Sequence, residues 1–241
     1  FCNVFRNIIE NPDYERADSA YARWRDYVLA FGFGSSLQAD FTNELNGFIA
    51  TPAYYNRYYG ENHWNALTII SLAIGQGEVL TTPLQMANMT AIIANKGFYY
   101  IPHSVRSVEG IDTLESRFTK RMEVPVDTSH FSLVTEGMSL AVNGGRGATA
   151  TLARISGIEV CGKTGTAQNP HGKDHSVFIA FAPRAHPEIA IAVYVEHGEW
   201  GATYAAPIAG LMIEKYLNGA ISPGRRWIED RMLQANLLNE Q

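Results

Sequence analysis

The chain has 241 residues, 46% hydrophobic and 18% charged, enough for one large domain or two small ones and too apolar for a disordered chain. A net charge of −5 without a long run of one sign gives no support to a nucleic-acid partner. Two cysteines, Cys2 and Cys161, are too few for a disulfide framework or a zinc site, and they do not fix the redox compartment.

The chain opens on Phe1, Val4, Phe5, Ile8 and Ile9, the spacing of an amphipathic helix. No capping residue and no initiator Met precede it, so the start reads as the interior of a helix in a longer protein whose N-terminal part is missing here. The most apolar runs, 177–182 and 189–195, fall far short of the ~18 residues of a membrane span. No basic region precedes an apolar stretch as in a signal peptide.

A turn is expected at Asn11-Pro12-Asp13, then a helix over 18–31 with Tyr21, Trp24, Val28 and Phe31 on one face. Phe31-Gly32-Phe33-Gly34 stops it. Residues 35–66 are irregular, and the aromatics between Tyr54 and Trp64 suit either a ligand groove or packing under a loop, the second being favoured. Thr82 reads as an N-cap, Pro83 as the first helical residue and Gln85 as the partner in a capping box, for a helix reaching Asn95 and ended by Gly97. Short strands and loops are expected over 98–126. A helix over 129–142 presents Phe131, Val134, Met138 and Ala141, and Asn143-Gly144-Gly145 ends it.

From Ile155 the pattern becomes extended. Strands are expected over 158–166, 175–182 and 189–196, the last two covered on both faces and joined as a hairpin by 183–187. A final helix follows Ala205-Ala206-Pro207 and stops near Gly219. Residues 222–241 form a polar tail, a surface helix at most.

Gly157 to Thr164 satisfies the spacing G-x-x-x-x-G-K-[ST] of a phosphate-binding loop. The intervening Ile158-Glu159-Val160-Cys161 favours a strand, and a helix opening at Thr164 would meet Gly165 at once and Pro170 soon after. The nucleotide reading therefore fails. As a strand, the stretch puts Lys163 and Gly165 on one face and Thr164 and Thr166 on the other. A lysine at a cleft rim offers a fixed charge, threonine hydroxyls can hold a carboxylate, and a peptide can pair with an edge backbone.

Gly162-Lys163-Thr164-Gly165-Thr166-Ala167-Gln168 resembles the third active-site motif of the transpeptidase domain of class B high-molecular-weight penicillin-binding proteins. Gly75-Gln76-Gly77, Thr82-Pro83-Leu84-Gln85, Ala94-Asn95-Lys96-Gly97, Ala180-Phe181-Ala182-Pro183 and Ala205-Ala206-Pro207 stand in the order of that family. Phe31-Gly32-Phe33-Gly34 with Glu44 and Gly47 is similar as well, and Asp174-His175 suits the elongation-type penicillin-binding protein 2. The resemblance implies an α+β fold of the penicillin-binding, serine β-lactamase-like kind, an antiparallel sheet covered by helices, with part of the helical subdomain. Residues 1–221 would be the C-terminal portion of that domain.

It further implies peptidoglycan D,D-transpeptidation through a serine acyl-enzyme, without metal or cofactor. Lys163 would be catalytic, and Thr164, Gly165 and Thr166 would bind substrate, with Thr166 on its carboxylate and at the oxyanion. Because strand parity separates Lys163 from Thr166, a twist or bulge near Gly165 is expected. Implied partners are the D-Ala-D-Ala stem peptide, β-lactams, a membrane glycosyltransferase and elongation-complex proteins. The implied location is outside the bacterial inner membrane, behind an N-terminal anchor.

No serine stands three residues before any lysine, and the family's Ser-x-Asn motif is also missing. The nucleophile is therefore expected upstream, and this chain alone is expected to be inactive. The alternative is a non-catalytic module that kept the fold and binds peptidoglycan or a membrane partner. Asp40 and Glu44 are weaker candidates as general bases. His171 and His175 straddle Gly172, which makes a metal pair improbable.

Overall fold

The computed structural model describes residues 1–110 and 113–238. In chain order it contains helices α1 (Cys2–Ile9) and α2 (Ala17–Ala30), strand β1 (Phe48–Ile49), α3 (Pro52–Tyr59), a 3-10 helix (Ile70–Ile74), β2 (Val79–Leu80), α4 (Pro83–Ala94) and β3 (Phe98–Tyr99). Then come α5 (Ser116–Thr119), β4 (Met122–Glu123), α6 (Ser129–Asn143), a 3-10 turn (Thr151–Ala153), β5 (Cys161–Ala167), β6 (His175–Ala182) and β7 (Ile189–Val195). α7 (Ala205–Asn218), a 3-10 turn (Pro223–Arg225) and α8 (Arg226–Gln234) complete it. The class is α+β. Two compact units are present, Phe1–Gln85 with Tyr100–Pro125, and Met86–Tyr99 with Val126 onward.

The first unit is built on aromatic rings. Of the expected α1 stripe only Phe5 and Ile9 are buried, while Phe1, Val4 and Ile8 stay exposed. Trp24 of α2 meets Phe5 edge-on at 5.2 Å, and Tyr21 contacts Tyr55 and Trp64 in the same geometry. Each buried polar tip is satisfied, as burial requires. The Tyr21 hydroxyl donates to the Ala50 carbonyl at 2.8 Å, Trp64 Nε1 to Asn56 Oδ1 at 2.6 Å, and the Tyr55 hydroxyl to Glu78 at 3.1 Å. Burial pushes the Tyr21 phenol up to about 12. The 54–64 aromatics thus divide, with Tyr55 and Trp64 in the core and Tyr58 and Tyr59 exposed. Part of the stretch expected to be irregular is α3, capped by the Thr51 hydroxyl accepting from the Tyr54 N–H at 3.1 Å.

The expected capping box at α4 is present. Thr82 Oγ1 accepts from the Gln85 N–H at 3.2 Å, and Gln85 Oε1 accepts from the Thr82 N–H at 3.1 Å. Gln85 is fully buried and does more than cap. Its amide donates to the carbonyls of Ser35 and Asn46, both at 2.9 Å, fixing two loops to one side chain. Asp40 and Glu44 are likewise turn organisers, not free bases. Asp40 accepts from the N–H groups of Val105 and Ser104, which hold its carboxyl below the usual range. Glu44 accepts from Ser36 Oγ and the Ala39 N–H.

Over 98–126 the structure adds the short helix α5 to the expected strands; Ile111 and Asp112 lie outside the described residues, as do 239–241 of the tail.

The second unit carries the sheet, in the order β5-β6-β7 and antiparallel throughout. Residues 183–188 close the β6–β7 hairpin, with the Glu188 N–H donating to the Ala182 carbonyl at 2.9 Å. One face of β6, Ser176, Phe178, Ala180 and Ala182, is buried, and its apolar members share a core with Val142 of α6 and Ala205, Ala206, Ala209 and Ile213 of α7. The second face is covered only in part: Phe181 and Cys161 opposite it are buried, His175, Val177 and Ile179 are half-buried, and Tyr194 of β7 is exposed.

β5 starts three residues later than the spacing predicts. Gly157, at φ +78°, turns the chain so that Ile155 and Ile158 bridge each other before the ladder begins. On α6, Phe131 and Met138 are buried as expected, but Val134 faces out. The tail is tied down at its start. Arg225 Nε donates to the buried Glu214 carboxylate at 2.9 Å, and Ile228 of α8 is buried.

Candidate active site

β5 carries Lys163, Thr164, Gly165 and Thr166 and among the described residues pairs only with β6, so its second edge is unpaired there. Its entry is fixed from α6. Asn143 Nδ2 donates to the Val160 carbonyl at 2.7 Å, and Ser139 Oγ donates to Glu159 at 2.5 Å. Arg184, from the β6–β7 turn, bridges Glu159 and Glu136. The Ser139 hydroxyl, then Arg184, draw the Glu159 carboxyl below its usual range. Cys161 opens the strand in full burial. Burial, then the charge of Glu159, push its thiol up to about 12, which leaves it neutral and unreactive.

The register is uninterrupted from Cys161 opposite Phe181 to Ala167 opposite His175. The bulge expected near Gly165 is therefore absent. Partners across a ladder point to the same face. Lys163 shares its face with Ile179 and Gly165 with Val177, whereas Thr164 and Thr166 lie on the face of Phe178 and Ser176. Lys163 is exposed, and its ammonium donates to the Thr164 carbonyl at 2.6 Å. The Thr164 hydroxyl hydrogen-bonds that of Thr149 at 3.1 Å. What the strand offers is a row of one ammonium, hydroxyls on the other face and free edge amides, suited to gripping an extended anionic peptide.

Two close approaches pack against this strand. A Cβ on Gly162 would meet the Phe178 ring, and one on Gly201 would lie 2.6 Å from the Gly165 carbonyl oxygen and against that of Val177. Gly201 therefore brings its own backbone onto the strand at the motif glycine. The loop carrying it is fastened by Ser176 Oγ, which donates to the Trp200 carbonyl at 2.8 Å and accepts from the Ala205 N–H at 3.1 Å. Sequence reasoning singled out neither Gly201 nor Thr149. The only local signal was the paired glycines, Gly198 and Gly201, just past the third strand.

Residues 12–214 match the model of the penicillin binding protein transpeptidase domain. Peptidoglycan D,D-transpeptidase MrdA of Acinetobacter baumannii is 30% identical over 231 residues, covering 88% of this chain and 34% of its own length. PbpA of Mycolicibacterium smegmatis is 36% identical over 149 residues, covering 56% of this chain and 29% of its own. Among solved structures, PBP2 of Pseudomonas aeruginosa in complex with WCK 5153 aligns with a TM-score of 0.71 and 31% identity, over 86% of this chain and 46% of that one. PBP2 of Helicobacter pylori, in its complex with MreC, shares the fold at a TM-score of 0.66 and 24% identity, over 90% of this chain and 40% of that one. The chain spans about a third of the length of the curated relatives it matches. With most of its residues matched by one family model, the chain belongs to the penicillin-binding protein transpeptidase domain family.

Proposed function

We propose that the protein carrying this chain is a peptidoglycan D,D-transpeptidase of the penicillin-binding protein 2 type. The observation that carries the reading is Lys163-Thr164-Gly165-Thr166 on an unpaired sheet edge inside the matched family region. A serine elsewhere in the full-length protein attacks the D-Ala-D-Ala carbonyl, expels the terminal D-Ala and forms an ester. An amine of a second stem peptide then displaces the serine. Lys163 supplies fixed positive charge to the hydroxyl network at the reacting centre. Thr166 binds the substrate carboxylate and offers its N–H to the oxyanion, where one donor is worth about 10²-fold in rate. Thr164 shapes the strand through Thr149, and Gly165 allows close approach.

In this reading residues 1–221 are the C-terminal portion of the transpeptidase domain and 222–241 a tail, held to it by Arg225 on Glu214. β-Lactams acylate the same serine, and a membrane glycosyltransferase and elongation-complex proteins are the partners. A relative's co-structure with MreC supports the latter. The domain works outside the inner membrane, anchored by an N-terminal segment; among the described residues no helix is long and apolar enough to cross a membrane.

Intact-mass spectrometry with penicillin tests the reading. The full-length protein is expected to gain one adduct and these 241 residues none, with Lys163→Ala slowing full-length acylation by about 10²-fold. An adduct on the 241 residues alone would overturn the placement of the serine. No adduct on the full-length protein would favour a non-catalytic module.

A further inference from the structure

The loop over 196–204, between β7 and α7, is tied to three consecutive residues at the entry to β6. The Asp174 carbonyl accepts from the Glu199 N–H at 2.8 Å, and His175 Nδ1 accepts from the His197 N–H at 3.1 Å. Ser176 Oγ holds the loop at two further points, the Trp200 carbonyl and the Ala205 N–H. His197 and Glu199 have φ of +55° and +59°, a shape that persists in non-glycine residues only where the surroundings enforce it. These ties supply that enforcement.

Of the three residues, Ser176 has the place that bears on the site. It stands opposite Thr166 in the β5–β6 ladder, so its side chain shares a face with those of Thr166 and Thr164. It is fully buried, and its hydroxyl proton is committed to a carbonyl, which makes it a tether and not a nucleophile. α7 has no side-chain cap of its own, and Ser176 supplies an acceptor for its first N–H from the neighbouring strand.

One residue on from Trp200, Gly201 lies over the rung formed by Gly165 and Val177. The Gly201 carbonyl accepts from the Ala206 N–H at 2.9 Å, so the start of α7 locates it from the other side. A Cβ on Gly201 would stand 3.0 Å from the Gly165 nitrogen as well as against its carbonyl oxygen. That oxygen and the Thr166 N–H belong to one peptide group, which is planar and turns as a unit. A loop seated on the Gly165 carbonyl therefore also fixes where the Thr166 N–H points.

We propose that Ser176 is a positioning residue for acylation: its hydroxyl seats Gly201 against the Gly165 carbonyl and so sets the direction of the Thr166 N–H. The inference rests on the transpeptidase reading and deepens it, because the Thr166 N–H is the donor which that reading places at the oxyanion.

The test follows acylation of the full-length protein by penicillin over time and separates the dissociation constant from the first-order rate constant. Ser176→Ala is expected to lower the rate constant about tenfold, a part of the roughly 10²-fold that a 1 Å misplacement can cost. The dissociation constant should stay within about twofold, because an oxyanion donor acts in the transition state. A serine with a merely structural role would lower only the share of molecules that form an adduct, and the remainder would react at the wild-type rate. Gly201→Ala reaches the same contact from the loop and should slow acylation to a similar degree, which keeps the test decisive where Ser176→Ala gives no folded protein. Combined, the two substitutions should slow the reaction no more than the slower single one, since both break one contact. A wild-type rate constant in either variant overturns the proposal, as do losses that multiply in the double variant. No adduct on the wild-type full-length protein sinks the transpeptidase reading and this role with it, whereas adducts formed at one rate by all forms sink the role alone.

Discussion

The aromatic cluster of the first unit and the sheet of the second bury their residues by opposite means. Around Tyr21, Tyr55 and Trp64, a few large rings span the space between short helices, and their hydroxyl and indole groups fasten loops that have little regular backbone pairing of their own. Around Phe178, the backbone ladder sets the geometry, and alanines and glycines let α7 and the β7–α7 loop come close. One unit is filled by large side chains and the other by leaving them out. The first should therefore suffer most from deletion of atoms and the second from their addition.

The largest effect is expected for Trp64→Ala. Removing a buried indole and orphaning Asn56 should cost about 3–5 kcal/mol in urea unfolding followed by circular dichroism. A loss below about 1 kcal/mol would mean that the ring is not a support. Gly201→Ala is the matching addition, and one methyl should cost about 1–3 kcal/mol because it meets backbone on two strands. If the variant melts with the wild type, the sheet is looser than its spacing implies. Thr82→Ala, at the junction where Gln85 caps α4, should cost about 1 kcal/mol and leave the unfolding slope unchanged.

The smallest effect is a response to acid. Glu159 has a folded pKa below its unfolded one, so its contribution is present above the ordinary carboxylate range and lost as pH falls through the lowered value. Glu159→Gln should flatten the acid side of the stability–pH curve, and an unchanged curve would remove the Arg184 bridge from the account.

The same contrast explains what could be read in advance. β6 and its hairpin were legible as apolar runs on either side of Pro183 and Pro187, since a ladder repeats one rule along its length. The α4 cap was legible because Gln85 answers Thr82 three residues on. α3 begins with the same pair, Thr51-Pro52, but Tyr54 stands where the reciprocal partner would be, and the aromatic run hides the apolar period. A bulge near Gly165 would bring Lys163 and Thr166 to one face, but the residues themselves carry only the alternation that the structure keeps. Gly201 and His197 act on β5 and β6 from more than twenty residues away, through loop backbone, and no local pattern announces such contacts.

The clamp on Gly165 has a thermodynamic consequence. A flexible edge strand must lose conformational freedom when a peptide joins it, and that loss weakens binding by about 1–2 kcal/mol per residue ordered. Here the steric fit of Gly162 on Phe178 and of Gly201 on Gly165 imposes that order during folding. A peptide added at this edge would therefore meet a strand already ordered, so the free energy of each new hydrogen bond would go into affinity and alignment with little subtracted for stiffening the protein.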